Sequence, residues 1–330
     1  MSDLNLAQAQ FGLRPFAGDS DYEAMSKVQY ALRDAGQIES VLNASEIKNT
    51  LTHSPNFDIS KDIMLAESDG AVIGFCRCFW ELGARDTGIV LHLPLYTHPE
   101  SPQIVDQALF DWGYKRLQDI YKAIPGNHAA ELRTFALDKH TKRHILYEVN
   151  GLTPIRFYHD MRRDLLTDPI PERPLPTGIS VRPALPADYR KIWDASVIAS
   201  ADERGSTVPA EEDFIRWQGE TEFQPYLWQV GWFGDQPVGM VTNFVNLAEN
   251  EYFKRHRGYT ESIWVLREFR KQGLASALIT RSMTMFKAMN MHETALGVDS
   301  ENPSGALGLY ENLGYKTYSQ AIEYSKPFSI

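Results

Sequence analysis

Residues 267–279 read REFRKQGLASALI, and this stretch decides how the second half of the chain is interpreted. Three cations, Arg267, Arg270 and Lys271, fall within five positions, and Gly273 then opens an apolar helical pattern. A helix begins with unpaired main-chain N–H groups and a positive dipole end, and a glycine there lets a ligand approach the main chain closely. The stretch therefore predicts an anion site shaped for a diphosphate. The alternative is a solvated turn before a surface helix.

Composition limits the other interpretations. The chain has 330 residues, 43% apolar and 23% charged, which is typical of a globular protein of about two domains. A net charge of −10 argues against a protein that coats nucleic acid. Cys76 and Cys78 are too few for a disulfide framework and only weakly suggest a metal, so no metal site is predicted. The N-terminus lacks a secretory pattern and no apolar run reaches the ~20 residues of a membrane span, so a cytoplasmic location is expected.

The chain contains two similar halves. Leu13-Arg14-Pro15 corresponds to Val181-Arg182-Pro183, and LYEVNGL at 146–152 corresponds to LYENLGY at 309–315. Between the halves, the stretch DLLTDPIPERPLPTG at 164–178 holds four prolines, which predicts an extended linker. We therefore predict domains at 1–163 and 178–330, joined by a linker at 164–177. In each half, strands and helices alternate in the order of an α+β domain, with a mostly antiparallel mixed sheet flanked by helices.

The second half resembles the GNAT superfamily of acetyltransferases. Arg270-x-x-Gly273-x-Ala275 resembles the family signature after the fourth strand, and GVDSENPSGALGLYENLGYK at 297–316 resembles the closing segment. The tandem arrangement resembles that of mycothiol synthase and related two-domain members. The resemblance implies that acetyl-coenzyme A is the acyl donor and that these residues hold it: Arg270, Lys271, Gln272, Gly273, Leu274, Ala275, Ser276 and Asn302.

The same resemblance implies direct acyl transfer to an amine. A main-chain N–H near Trp264 and Val265 would polarise the thioester carbonyl. Tyr310, eight residues after Asn302, would protonate the departing thiolate, although helical spacing alone makes it a core tyrosine. The family's usual glutamate position is Tyr259 here. Glu261 lies on the same strand face and is the candidate base, with pairing to a cation at a strand edge as the alternative. Glu249, Glu251 and His256 are further candidates.

The first half departs from the family pattern. Val105 and Gln107 stand where the second half has Gly273 and Ala275. We expect this half to bind coenzyme A poorly and Tyr147 to serve in packing. The sequence thus predicts an N-acetyltransferase of a small-molecule or peptide amine, working in the second domain without nucleic-acid or membrane partners. A homodimer is compatible with the sheet edges that pair in this family. The competing hypothesis is a non-catalytic sensor or scaffold that binds acyl-coenzyme A.

Overall fold

The chain folds into two compact units, each with its own core. The computed structural model describes residues 10–38, 41–83, 88–126, 128–201, 209–300 and 305–329. The first unit is formed by residues up to 157, by 210–216 and by residues from 321 on, and the second by 158–209 and 217–320. These boundaries differ from the predicted domains, because each unit includes part of a strand from the other half of the sequence.

The first unit is built mainly from the N-terminal half. Its elements are β1 (Gly12–Pro15), α1 (Asp19–Asp34), α2 (Ala44–Thr52), β2 (Ile63–Ser68), β3 (Ala71–Arg77), β4 (Phe79–Leu82), β5 (Ile89–His92), β6 (Leu95–Thr97), α3 (Gln103–Ala123), β7 (Ala130–Leu137) and α4 (Thr141–Val149). One sheet has the order β1-β2-β3-β6. The second joins β4, β5 and β7, and its next strand is the end of the chain, where Ala321–Phe328 pairs antiparallel with β7.

The second unit begins within a long strand that leaves the first half. Its elements are β8 (Thr153–Asp164), β9 (Ile179–Val181), α5 (Tyr189–Ser200), α6 (Glu211–Gln218), β10 (Gln229–Phe233), β11 (Gln236–Phe244), α7 (Leu247–Tyr252), β12 (Arg257–Val265), α8 (Leu274–Ala288), β13 (Glu293–Asp299), α9 (Ala306–Asn312) and β14 (Lys316–Phe328). Residues 158–164 of β8 and 316–320 of β14 lie in this unit, and α6 passes from the first unit to the second at residue 217. The strand order is β8-β13-β12-β11-β10-β9.

Two ion pairs repeat the same contact in the two units. Arg14 lies 2.7 Å from Asp21 and Arg182 lies 2.7 Å from Asp188, in each case joining the first strand to the start of the first helical segment. The arginine holds the pKa of each aspartate below its usual range, since hydrogen bonding favours the charged form. The matching contacts agree with the internal repeat seen in the sequence.

The proline-rich stretch predicted as a linker is irregular but not detached. Residues 165–178 form no helix or strand. Leu165 is fully buried and its main-chain N–H donates to the His292 carbonyl at 2.8 Å, while Ile170 and Leu175 pack against the core of the second unit. The stretch is therefore held in place along its length by apolar contacts.

Candidate active site

The loop between β12 and α8 presents a row of main-chain donors. Lys271 and Gly273 both have left-handed backbone angles, with φ of 59° and 86°, and α8 starts at Leu274. Within the described residues, the N–H groups of 271–276 have no hydrogen-bond acceptor, whereas the next N–H, of Ala277, bonds to the Gly273 carbonyl. A Cβ built on Gly273 would meet nothing within 4 Å. The space over these donors is thus open and suited to an anion.

The side chains of the loop mostly support it. Arg270 donates from Nε to the Val265 carbonyl at 2.9 Å and from Nη2 to the Ala199 carbonyl at 2.8 Å, which fastens the loop to β12 and α5. Leu274 is buried and anchors the first turn of α8, while Lys271 and Gln272 are exposed. A direct contact of Arg270 or Lys271 with a bound phosphate stays a prediction. Asn302 lies outside the described residues.

A cleft opens beside this loop because β12 and β13 part. Their parallel pairing covers only residues 257–259 of β12 against 293–295 of β13. A bulge in β12 follows, where Ser262 has φ of 43° and the pairing with β11 skips from Glu261 to Trp264. A bulge bends its strand and re-aims side chains. The edge of β12 from residue 261 to Val265 is therefore unpaired by β13, which is where the resemblance expects a carbonyl-polarising N–H.

Glu261 lies at the point where the two strands part. Its Oε1 accepts a hydrogen bond from the main-chain N–H of Gly297 on β13 at 3.0 Å. Burial raises the pKa of Glu261 to about 8, the Gly297 bond opposes this rise, and the negative charges of Glu222 and Asp160 add to it. A carboxylate with a pKa near the working pH suits general-base catalysis.

Two of the other candidates for the base already contact neighbouring side chains. Glu249 accepts hydrogen bonds from Arg255 and from the Tyr259 hydroxyl, the latter at 2.8 Å. The His256 ring stacks on His292 with 4.4 Å between centroids. Glu261 combines a place where β12 and β13 part with a pKa raised toward neutrality.

Tyr310 lies on α9, close to the same part of the sheet. Only 6% of its surface is exposed, and its ring packs edge-on to Tyr315 with centroids 6.1 Å apart. The Tyr315 hydroxyl in turn lies 2.9 Å from Oγ1 of Thr260, the residue before Glu261. The Tyr315 ring thus lies between Tyr310 and β12, the strand that carries the candidate base.

An aromatic cluster joins α5, α6 and the segment between α6 and β10. Trp217 stacks on Trp228 at 5.1 Å, and it contacts Trp193 at 5.3 Å and Phe223 at 4.9 Å between ring centroids. Trp228 is buried, and Trp217 and Phe223 are partly buried against the core of the unit. Phe223 of this cluster directly follows Glu222, one of the residues whose charge raises the pKa of Glu261.

Comparison with known proteins identifies this part of the chain. Residues 190–315 match the model of the acetyltransferase (GNAT) family. This segment belongs to the GNAT family. The match contains the donor loop, Glu261 and Tyr310, so the residues assembled above fall within the family's own domain.

Relatives extend the likeness beyond the GNAT segment. A mycothiol acetyltransferase of Streptomyces scabiei is 30% identical over 206 residues, which is 61% of this chain and 64% of the relative. One from Streptomyces coelicolor is 26% identical over 196 residues, 58% of this chain and 60% of the relative. The match thus spans about three fifths of the length of these curated relatives.

Solved structures show the same fold over nearly the whole chain. A GCN5-related N-acetyltransferase from Sphaerobacter thermophilus has a TM-score of 0.69 at 23% identity, covering 96% of this chain and 95% of that one. A tandem GNAT protein from the clavulanic acid biosynthesis pathway has a TM-score of 0.66 at 13% identity, covering 96% and 98%. The predicted α+β fold of tandem GNAT type is confirmed.

The first unit has a different arrangement at the start of its long helix. Pro102 precedes α3, and Val105 is fully buried rather than lining an open loop. The Asp106 carboxylate accepts from the Thr97 hydroxyl at 2.7 Å and pairs with Arg143 at 3.1 Å, with all three side chains buried. A buried carboxylate thus lies in the first turn of α3, whereas the first turn of α8 contains no acidic residue.

The described residues were also examined for membrane-spanning helices and for groups of metal-ligating side chains. Within the described ranges, the helices are too short or too polar to cross a membrane. In the same ranges, no three His, Cys, Asp or Glu side chains converge as metal ligands. Cys76 and Cys78 are buried, and burial raises the pKa of both thiols, which makes them poor nucleophiles.

Proposed function

We propose that the protein transfers an acyl group, acetyl in the first instance, from acyl-coenzyme A to a primary amine in its second unit. The observation that carries this proposal is the row of unbonded N–H groups at 271–276 beside the cleft that holds Glu261. The space over Gly273 is open because glycine has no side chain to occupy it, and this space is the place proposed for the diphosphate. The name of the mycothiol acetyltransferase relatives favours acetyl and a small-molecule acceptor.

Different residues of the chain serve binding of the donor, deprotonation of the acceptor and protonation of the leaving group. The amides of 271–276 bind the diphosphate, and Arg270 keeps the loop in place. Acyl-coenzyme A supplies the thioester, whose acyl group passes directly to the acceptor. Glu261 takes a proton from the acceptor's ammonium, since an ammonium has no lone pair for attack. The Tyr310 hydroxyl donates a proton to the leaving sulfur. It regains a proton from the acceptor nitrogen, which loses its second proton once it is bonded to the acyl carbon.

A thiol-release assay tests the proposal. The full chain is mixed with acetyl-coenzyme A and a panel of amines, comprising glucosamine, putrescine, 2-phenylethylamine and a peptide N-terminus, and free thiol is followed with a chromogenic reagent. We expect amine-dependent thiol release that Glu261→Gln lowers by about 10²-fold or more. Calorimetric binding of coenzyme A without turnover of any amine would favour the sensor instead. Absence of both would overturn the diphosphate site itself.

A further inference from the structure

Arg77 in the first unit is a partly buried cation at the end of β3. Its guanidinium lies over the Phe79 ring, with Cζ 4.8 Å from the ring centroid. Within the described residues this guanidinium makes no hydrogen bond and no ion pair. A charge that is taken out of water without a partner is costly to the folded state. Such a cation indicates a place where an anion from outside the chain binds.

The pKa of Arg77 differs from that of the paired arginines in both units. In Arg14 and Arg182, hydrogen bonds to aspartates raise the pKa of the guanidinium. The pKa of Arg77 is instead lowered, mainly by burial, and the nearby Tyr96 and Glu81 oppose this effect only in part. The surroundings of Arg77 thus compensate its charge less than those of the other two arginines do.

Tyr96 on β6 lies beside Arg77 on the same face of the sheet. Phe75 is opposite Tyr96 in the register of β3 and β6, and the two rings stack with centroids 4.7 Å apart. Arg77 follows Phe75 by two residues, so its side chain leaves the same face, diagonal to Tyr96. In the part of the chain that the structure describes, the Tyr96 hydroxyl has no hydrogen-bond partner. A guanidinium and an O–H donor are therefore neighbours here.

The other charged groups near Arg77 have partners of their own. Arg216, in the residues of α6 that belong to the first unit, lies 2.7 Å from Asp213. The Glu81 carboxylate lies 3.2 Å from Nε2 of His92. Neither pair includes Arg77. A bound anion would therefore supply the counterion that the described fold does not.

We propose that Arg77 and Tyr96 form a binding site in the first unit for the carboxylate of a small organic acid. The two oxygens of a carboxylate match the fork of a guanidinium, and the phenol donates to one of them as a third donor. The partly buried Phe79 ring beside the fork favours an acid with an apolar or aromatic body. The site lies in the first unit, so this inference does not depend on acyl transfer in the second.

Calorimetry on the full chain, with benzoate as the probe, tests the site. We expect saturable binding with a Kd of about 1 mM or tighter. Benzamide has the same shape without the charge and should bind at least about tenfold more weakly. Arg77→Met should weaken benzoate binding at least about tenfold, while its melting temperature holds or rises because an uncompensated charge is removed. Tyr96→Phe, which removes one donor, should weaken binding about two- to tenfold.

Two control variants separate this site from other places that attract anions. Lys115→Met removes an exposed cation of α3 and should leave the benzoate affinity unchanged. Gly273→Glu adds a carboxylate to the donor loop of the second unit and should also leave it unchanged. A loss of benzoate binding in Gly273→Glu would assign the benzoate to that loop and overturn the proposal.

The remaining outcomes decide the assignment. Equal affinities for benzoate and benzamide overturn the proposal, since they indicate an apolar pocket alone. Tighter binding of inorganic phosphate than of benzoate overturns the choice of a carboxylate. A merely structural role of Arg77 would lower the melting temperature of Arg77→Met and leave its benzoate affinity at the wild-type value, and this result, like a wild type that does not bind benzoate, overturns the site.

Discussion

The raised pKa of Glu261 leads to a quantitative prediction about how turnover depends on pH. With a pKa of about 8, about 9% of the carboxyl groups are ionised at pH 7 and about 91% at pH 9. If Glu261 is the base, kcat at saturating amine should rise about tenfold over this interval and level off above it. Glu261→Gln should lose this dependence together with most of the rate.

The assay must separate the enzyme's carboxyl group from the acceptor's own amine. We would measure kcat between pH 6 and pH 9.5 by thiol release, with the enzyme-free rate subtracted, for two acceptors whose amine pKa values differ by about two units. A pKa that belongs to Glu261 stays near the same pH for both acceptors. A midpoint that follows the acceptor, or a Glu261→Gln variant with the wild-type profile, would refute the assignment.

Stability offers a second measurement that needs no substrate. The folded pKa of Glu261 lies above the ordinary value of 4.5, so the folded state binds the proton more tightly than the unfolded state. The corresponding stability is fully present below pH 4.5 and is lost as the pH rises through about 8. Glu261→Gln carries no such proton. Its melting temperature relative to the wild type should therefore increase from pH 5 to pH 9, and a constant difference would argue against the raised pKa.

Four further predictions concern single positions in the GNAT segment. Gly273→Glu should weaken coenzyme A binding at least about 100-fold by calorimetry, because a carboxylate about 5 Å from a diphosphate is repelled by several kcal/mol; Gln103→Glu at the start of α3 is the control and should leave affinity unchanged. Tyr310→Phe should lower kcat about 10²-fold with unaltered coenzyme A affinity, whereas an unchanged kcat would make it a packing residue. Gly258→Ala should destabilise the protein by about 1–3 kcal/mol in denaturant unfolding, since the new Cβ would lie 2.5 Å from the buried ring of Phe286. Gly308→Ala, with nothing within 4 Å, should stabilise α9 by up to about 1 kcal/mol, and equal effects of the two changes would contradict the packing described.

The structure also changes which residue serves as a control in the first unit. Sequence alignment pairs Val105 with Gly273, so Val105→Glu would be the natural counterpart. Val105 is fully buried, however, and a carboxylate there would disrupt the core of the unit rather than probe a binding loop. Gln103 is exposed in the first turn of α3, where an acidic side chain suits the helix dipole.

Local sequence signals predicted the elements of the fold well, because each depends on neighbouring residues. Asp69 and Gly70 both have positive φ in the two-residue turn between β2 and β3, as an Asp-Gly pair favours. The partners of the long strands could not be predicted in the same way. The sequence pattern predicts no strand after the last helix of either half, yet β8 and β14 lie there, and each pairs with a strand of the other half.

The residues of the candidate site also differ in whether the sequence alone could predict them. The donor loop is contiguous in sequence, so its glycine, its cations and the start of α8 could be read together. Asp160 and Gly297 carry no such signal, since they meet only because β8 crosses into the second unit and pairs with β13. The position of Glu261 on β12 could be predicted from the sequence. Its contacts across the cleft depend on the bulge at Ser262, which no local sequence signal predicts.

The two halves show which contacts a duplicated fold retains and which it can replace. The Arg14–Asp21 and Arg182–Asp188 pairs occupy matching places, because each ties the first strand to the first helical segment of its own unit. At the start of the long helix the units differ. In the first unit the buried Asp106 lies in the first turn of α3 and pairs with Arg143 at 3.1 Å. The second unit leaves the corresponding donors at 271–276 unbonded in the described structure, and unsatisfied donors of this kind persist where water or a ligand satisfies them. The two copies thus differ at the start of the long helix: one has a buried ion pair there, and the other has a row of main-chain donors that find no acceptor within the described residues.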